Sequence, residues 1–230
     1  MTSLLDLGID RISNIITDMA KLSENSVLVA IGSYRNDTRI KKQIFDWSEK
    51  LRVLQEEVSD LAIELIARYQ PVASDLRFIK SCMEISYGFS RFGRYSYDIV
   101  DVVETTGSIS NCDKSAVLEM AITVRGMILL SLQALQSRDK NAAEKLYEMD
   151  DTVDLVYRRY LRKTITPSQE DEQQQKNTTG EMPNNNTIDN PRCYISALLI
   201  LRYLERISDH ACYIGDSVHY IVTGVSRPRL

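Results

Sequence analysis

Two pairs of carboxylates stand out in the sequence because the members of each pair are four residues apart within a helical pattern. Glu205 and Asp209 form one pair, and Asp150 and Asp154 form the other. A spacing of four puts both members on one side of a helix. Oxygen donors from two facing helices can bind a hard cation such as Mg²⁺, Mn²⁺ or Fe, and they suit Zn²⁺ less well. The four residues are therefore the candidate metal ligands, and Asp216, seven residues after Asp209, is a second candidate.

A plainer interpretation of the same pairs stays open. Carboxylates at i and i+4 repel each other by only a few tenths of a kcal/mol on an exposed helix, so an acidic protein can carry such pairs on solvated faces. From the residues alone, this is the more common outcome.

The sequence offers no arrangement typical of catalysis. It contains no G-x-S-x-G elbow, no phosphate-binding P-loop and no G-x-G-x-x-G motif. His210 and His219 have no Ser or Cys partner at a recognisable spacing, and we interpret both as structural. A ferritin-like di-metal enzyme would need Glu-x-x-His motifs, which are absent. We therefore predict that the protein is not an enzyme.

Helical periodicity runs through almost the whole chain and predicts an all-α fold. Only 9 glycines and 5 prolines interrupt 230 residues. The segment 166–190 is rich in Gln, Asn, Asp and Thr and has little to bury, which predicts a disordered loop. Around it, six long helices are predicted at about 4–31, 36–69, 74–105, 113–137, 140–165 and 192–223.

An internal repeat divides these helices into three plus three. A shift of roughly 115 residues keeps apolar and some polar residues in register, although most polar residues differ. We predict two tandem three-helix bundles, residues 1–108 and 109–230. The matched positions are Arg77 with Arg192, Ser81 with Ser196, Ile85 with Ile200, Ile99 with Ile214 and Asp101 with Asp216.

Charge and cysteine content restrict the class of protein. The formal net charge of -4 argues against a nucleic-acid binder. Four scattered cysteines without a C-x-x-C pair predict reduced thiols in a cytoplasmic protein, and no signal peptide is evident. The most apolar window, 116–135, contains Glu119 and Arg125, which favours a buried helix over a membrane span.

Three stretches together resemble the PhoU family. Residues 71–77 read P-V-A-S-D-L-R, which is similar to the family's entry to its third helix. Residues 204–211 read L-E-R-I-S-D-H-A, where the family has Gly in place of Ser208, and residues 149–158 resemble the acidic middle helix of the same repeat. The resemblance spans nearly all of the chain except 166–190.

The resemblance implies a cytoplasmic negative regulator of phosphate uptake. Its implied partners are a component of a phosphate ABC transporter or a phosphate-sensing kinase, and any association with the membrane would be peripheral, through that partner. A homodimer is expected. Several members of the family carry metal clusters on D/E-x-x-x-D motifs, and Asp150, Asp154, Glu205 and Asp209 stand at those positions.

The first repeat departs from this pattern. The counterparts of Glu205 and Asp209 are Ser90 and Arg94, and counting back from Pro71 gives Ser48 and Arg52 as the other pair. A guanidinium in place of a carboxylate repels a cation, so a divalent or trivalent metal (Fe, Mn, Mg or Zn) is expected only in the second repeat. The alternative functions are a carboxylate-cluster metal-binding protein and a metal-free helical scaffold.

The fifth predicted helix ends in a basic cluster. Such a cluster is commonly a solvated face that also suits the negative end of the helix dipole. A docking patch for an acidic partner or anionic lipid headgroups is the sharper alternative. Its residues are Arg158, Arg159, Arg162 and Lys163.

Overall fold

A computed structural model describes residues 3–165 and 191–227 of the chain. Within those residues the regular structure is entirely α-helical, as the sequence predicted, and the predicted disorder of 166–190 lies outside them. The helices are α1 (Leu4–Asn36), α2 (Lys41–Tyr69), α3 (Ala73–Thr106), α4 (Ser115–Ser137), α5 (Ala142–Ile165) and α6 (Pro191–Thr223).

The first helix is longer than its predicted end at residue 31. It continues through Gly32 to Asn36, because Tyr34 on the next turn is fully buried in the core. Asp37 then ends the helix in the left-handed region at φ 54°. The second helix consequently begins at Lys41 rather than at residue 36.

The helices pack as two sets of three. Helices α1, α2 and α3 contact one another, as do α4, α5 and α6, and the two sets meet mainly through α3 and α6. Gly88 of α3 permits that close approach, since a Cβ there would lie 2.9 Å from Ile214 Cγ1 of α6. Phe89 and Phe92 of α3 and Leu204 of α6 are fully buried. The predicted boundary at 108/109 stays a prediction.

Helix α4 has the most apolar sequence of the described helices. Among the described residues it is the one helix long and apolar enough to cross a membrane, with a mean hydropathy of 1.6 over its best window. It packs against α1, α5 and α6, yet only 33% of that window is buried. Ile122 is 76% exposed, and Leu129 is 43% exposed.

The prediction of four reduced cysteines is wrong for two of them. Cys112 and Cys193 form a disulfide, with their Cα atoms 5.4 Å apart, although 81 residues separate them in sequence. Cys82 and Cys212 are free and buried, as predicted for reduced thiols. The pairing arises because the connection between α3 and α4 lies against the first turn of α6.

Candidate functional site

The four predicted ligands lie together at the edge where α5 meets α6. Asp150 and Asp154 belong to α5, and Glu205 and Asp209 belong to α6. Their charges act on one another: Asp209 and Asp154 raise the pKa of Asp150, and Asp154 raises the pKa of both Glu205 and Asp209. The four predicted residues therefore lie close together, and we call them the carboxylate cluster; their role as metal ligands stays a prediction.

Partial burial shapes the electrostatics of the carboxylate cluster. Burial raises the pKa of Asp150 to about 6, with a further contribution from the neighbouring carboxylates and an opposing one from the Ser208 hydroxyl. Burial is also the main reason that the pKa values of Glu205 and Asp209 are raised. An ionised carboxylate loses hydration at such a site, so protons or other cations are favoured there.

Arginines already neutralise three of the four carboxylates. Arg158 Nη2 lies 2.6 Å from Asp154 Oδ2 on the same helix. Arg202 pairs with Glu205, and Arg206 Nη1 lies 3.5 Å from Asp209 Oδ2. These arginines were not predicted to be part of the site, although Arg202, three residues before Glu205, and Arg158, four residues after Asp154, have the spacing of intrahelical ion pairs.

Carboxylate oxygens suit a hard cation, but the four side chains are not arranged around a common point where they could coordinate one. Asp150 Oδ1 and Glu205 Oε2 are buried and accept no hydrogen bond, one from each helix. Across residues 3–165 and 191–227, however, no group of three or more His, Cys, Asp or Glu side chains is arranged to hold a metal ion. As they stand, the side chains form an arginine-neutralised cluster.

Asp216 has a different environment. It is 7% exposed, and its Oδ2 accepts a hydrogen bond of 2.9 Å from the hydroxyl of Tyr147 on α5. Burial raises the pKa of Tyr147, and the Asp216 carboxylate adds to that effect. Asp216 thus joins α5 to α6 through a buried hydrogen bond, while its part in a metal site stays a prediction.

The first repeat shows the same geometry with different chemistry. Ser48 faces Gly93, since a Cβ on Gly93 would lie 3.4 Å from Ser48 Cα. In the second repeat, Asp150 faces Ser208, the residue equivalent to Gly93, in the same way. This pairing supports the alignment of the middle helices that sequence spacing suggested. Arg52, where the second repeat has Asp154, pairs with Glu49 and Glu56 of its own helix.

Arg94 occupies the position equivalent to Asp209. Its Nη2 lies 3.1 Å from Asp98 Oδ1, again within one helix. Two guanidiniums thus replace two carboxylates at this edge of α2 and α3, and their positive charge opposes a cation there.

The two histidines lie in structural contacts. The ring of His210 packs against Tyr87, Tyr95 and Tyr213, with centroid distances of 5.8, 5.9 and 5.5 Å. His219 Nδ1 is 3.2 Å from the carbonyl oxygen of Lys140. These contacts agree with the structural interpretation of both residues.

A concavity of a different kind lies elsewhere, at the start of α2. It has a volume of about 860 Å³ and combines aromatic with charged side chains. Phe45 is 48% exposed there and packs edge-on against Tyr97 at 5.7 Å. We call it the α2 concavity; its lining includes Arg39, Lys42, Phe45, Trp47 and Tyr97, together with the acidic residues Asp46 and Glu104.

Comparison with known proteins identifies the family. The model of the PhoU domain matches the chain twice, over residues 16–103 and 117–218. A phosphate-specific transport system accessory protein PhoU homolog of Synechocystis sp. is 27% identical over 226 residues, covering 96% of this chain and 92% of its own length. A protein of the same description from Caulobacter vibrioides is 26% identical, covering 94% and 90%.

Two solved structures share the fold. PhoU from Pseudomonas aeruginosa superposes with a TM-score of 0.79 at 23% identity, covering 96% of this chain and 99% of that one. The phosphate transport system regulatory protein PhoU from Streptococcus pneumoniae gives a TM-score of 0.81 at 17% identity, covering 98% and 100%. The predicted fold, six helices in two similar domains, is confirmed.

Proposed function

The chain belongs to the PhoU family, and we propose that it is a negative regulator of phosphate uptake that acts by binding a phosphate ABC transporter component or a phosphate-sensing kinase. The observation that carries the proposal is the match of the family model to both halves of the chain. Relatives described as accessory proteins of phosphate-specific transport align over more than 90% of this chain. The family match also agrees with the prediction of a regulatory protein rather than an enzyme.

The α2 concavity is the surface that we propose for docking. Aromatic and arginine side chains are enriched where proteins bind each other, and the aromatic ones bury a large area at a small entropic cost. Phe45 provides such an area, Trp47 beside it is partly buried against the core, and Lys42 is an exposed cation at the rim. An acidic surface with an apolar centre on the transporter component would complement it.

The proposal is tested in cells and on native membranes. Deleting the gene is expected to raise phosphate uptake or stored polyphosphate, and a pull-down with the full chain should recover a phosphate-transporter component or the sensor kinase. The double variant Phe45→Ala with Trp47→Ala should lower that recovery about tenfold or more, as removal of interface anchors does. Val53→Ala, on the same helix and 52% exposed, is the matched control and should leave recovery unchanged.

Unchanged phosphate handling after deletion, with no such partner recovered, would leave only the scaffold interpretation. Recovery that survives the double variant would keep the regulator but refute the α2 concavity as its docking surface.

We propose a cytoplasmic location, with the membrane reached only through the partner, and a homodimer. The exposed face of α4 around Ile122 and Leu129 supports self-association, because contiguous apolar surface is costly to leave in water. Light scattering should report a dimer, and Ile122→Asp should convert it to a monomer with an unchanged circular dichroism spectrum. A monomer in the parent chain would refute the dimer.

A second proposal concerns a metal in the second repeat. Asp150 Oδ1 and Glu205 Oε2, which accept no hydrogen bond, favour it, and a cation would replace the exposed or half-exposed arginine side chains as the neutralising charge. Elemental analysis should find Fe, Mn, Mg or Zn in the parent protein and not in the double variant Glu205→Ala with Asp209→Ala. The control Ser90→Ala should leave the metal in place.

A further inference from the structure

The disulfide lies at a junction in the fold. Cys112 belongs to the connection 107–114 between the two repeats, and Cys193 is the third residue of α6. Both residues are partly exposed. The bond therefore ties the link between the repeats to the beginning of the last helix.

The surroundings of Cys193 stabilise a thiolate once the bond is reduced. The first turn of a helix presents the positive end of the helix dipole, which favours an anionic sulfur. Arg192 precedes Cys193, and its guanidinium lies 3.7 Å from the position that a Cβ on Gly107 would take, in the same connection as Cys112. The position in the first turn of α6 is therefore the feature that favours Cys193 over Cys112 as the attacking thiol.

The other two cysteines have the opposite character. Cys82 and Cys212 are buried, and burial raises the pKa of both thiols; for Cys212 the carboxylates of Asp150 and Asp216 contribute as well. A buried neutral thiol is a poor nucleophile. The chain thus contains its own unreactive controls.

We propose that Cys112 and Cys193 form a redox modification site that exchanges with low-molecular-weight disulfides such as glutathione disulfide. In the first step, the Cys193 thiolate attacks one sulfur of glutathione disulfide, which forms a mixed disulfide and releases one glutathione thiolate. The Cys112 thiol then loses its proton to water and attacks Cys193 Sγ, which forms the protein disulfide and releases the second glutathione thiolate. Two protein thiols are oxidised, and one glutathione disulfide is reduced to two glutathiones.

The bond controls how firmly the connection is held. The outer side of the first two turns of α6 has little packing, with Ile195 57% and Leu199 41% exposed. After reduction, the connection retains its hydrogen bonds to Asp37 Oδ2, from the Ser108 hydroxyl and the Ile109 amide. Reduction should therefore loosen residues 107–114 and the start of α6 while leaving the core intact.

The test uses the full chain, reduced and then exposed to glutathione disulfide without oxygen. Mass spectrometry should show a mixed disulfide at Cys193 followed by closure onto Cys112. Cys112→Ser should accumulate the mixed disulfide at Cys193, and Cys193→Ser should lower the rate of capping about tenfold, because the remaining partly exposed thiol lacks the helix terminus. Arg192→Gln should slow the first step by roughly two- to fivefold, because it removes the positive charge of the residue adjacent to Cys193.

Two further measurements test the reactivity of the buried cysteines and the effect of reduction on local stability. Cys82→Ala should close the bond at the parent rate, and iodoacetamide should modify Cys82 and Cys212 only in denaturant. Hydrogen exchange should speed up at 107–114 and 191–197 on reduction and stay unchanged in the buried part of α3. The proposal is overturned if the folded, reduced chain never closes the bond, if Cys112 is capped as fast as Cys193, or if exchange at 107–114 is the same in both redox states.

Discussion

Replacing Asp150 by Asn is expected to stabilise the metal-free protein at about pH 7. The pKa of Asp150 rises from 3.8 to about 6 on folding, because the carboxylate is partly buried beside other carboxylates. About two pKa units correspond to roughly 3 kcal/mol of penalty for the ionised form, and solvent screening of this partly exposed group reduces it to about 1–2 kcal/mol. Asparagine has nearly the same shape and carries no charge.

The sign of the pH dependence follows from proton binding. Between about pH 6 and pH 4 the folded protein holds a proton on Asp150 that the unfolded chain has released, so this group adds stability as the pH falls through that window. The advantage of Asp150→Asn should therefore be full at about pH 7 and close to zero below about pH 4. Urea unfolding followed by circular dichroism, with a chelator present, measures the free energy of unfolding for both proteins.

Asp151→Asn is the matched control, because the neighbouring side chain is exposed and its neutralisation should change the free energy of unfolding by no more than about 0.5 kcal/mol. If Asp150→Asn destabilises the chelated protein at about pH 7, or if its effect is the same at every pH, the electrostatic argument for the carboxylate cluster is wrong. Repeating the titration with added Mn²⁺ separates the roles, since a bound cation would make the parent the more stable protein.

Three other predictions concern packing and cross-links. Gly215→Ala should lower the free energy of unfolding by about 1–3 kcal/mol, because the new Cβ would lie 2.7 Å from Leu146 Cδ1 and 3.1 Å from Ala143 Cα. Gly32→Ala should instead raise it by about 0.5–1 kcal/mol, because nothing lies within 4 Å of the new Cβ and alanine favours the helix. Thermal unfolding of both variants checks the contrast, and equal effects would contradict it. The double variant Cys112→Ser with Cys193→Ser should have a free energy of unfolding lower than that of the oxidised parent by up to about 4.5 kcal/mol, because the unfolded chain is no longer closed into a loop by a bond between residues 81 apart. A parent whose stability does not change with reductant would refute this. Ser3→Ala should lower the free energy of unfolding by about 1 kcal/mol, because the Ser3 hydroxyl accepts a hydrogen bond from the Asp6 amide in a capping box. Chemical denaturation measures the change, with Ser110→Ala, at an exposed position, as control.

Local patterns were enough to predict the helices and the carboxylate cluster. The repeat of apolar residues at helical spacing places Ile85 and Ile200 in equivalent buried positions, and both are 0% exposed. A spacing of four residues places Glu205 and Asp209 on one side of α6 whatever surrounds them, because that relation depends only on the helical rise and turn. The family motifs at 71–77 and 204–211 lie within single helices or their entries, and for the same reason they could be read directly.

Features that depend on how the helices pack against one another could not be predicted from local sequence patterns. The end of α1 was misplaced because Tyr34 is held by burial in the core, which no neighbour in sequence specifies. How strongly the pKa of Asp150 is raised depends on how deeply α5 packs against α6. The spacing of Arg158 and Arg202 allows their ion pairs, but only the packed structure shows that these pairs lie within the carboxylate cluster.

The cysteines show most clearly where sequence and tertiary structure divide. The absence of a C-x-x-C pair predicted four reduced thiols. The prediction is right for Cys82 and Cys212, which are free and buried. Cys112 and Cys193 meet across 81 residues because the packing of α3 on α6 brings the link between the repeats against the start of the last helix. Helix formation depends on neighbours three and four residues away, which the sequence displays, whereas a bond between distant residues depends on packing that exists only after all six helices have assembled.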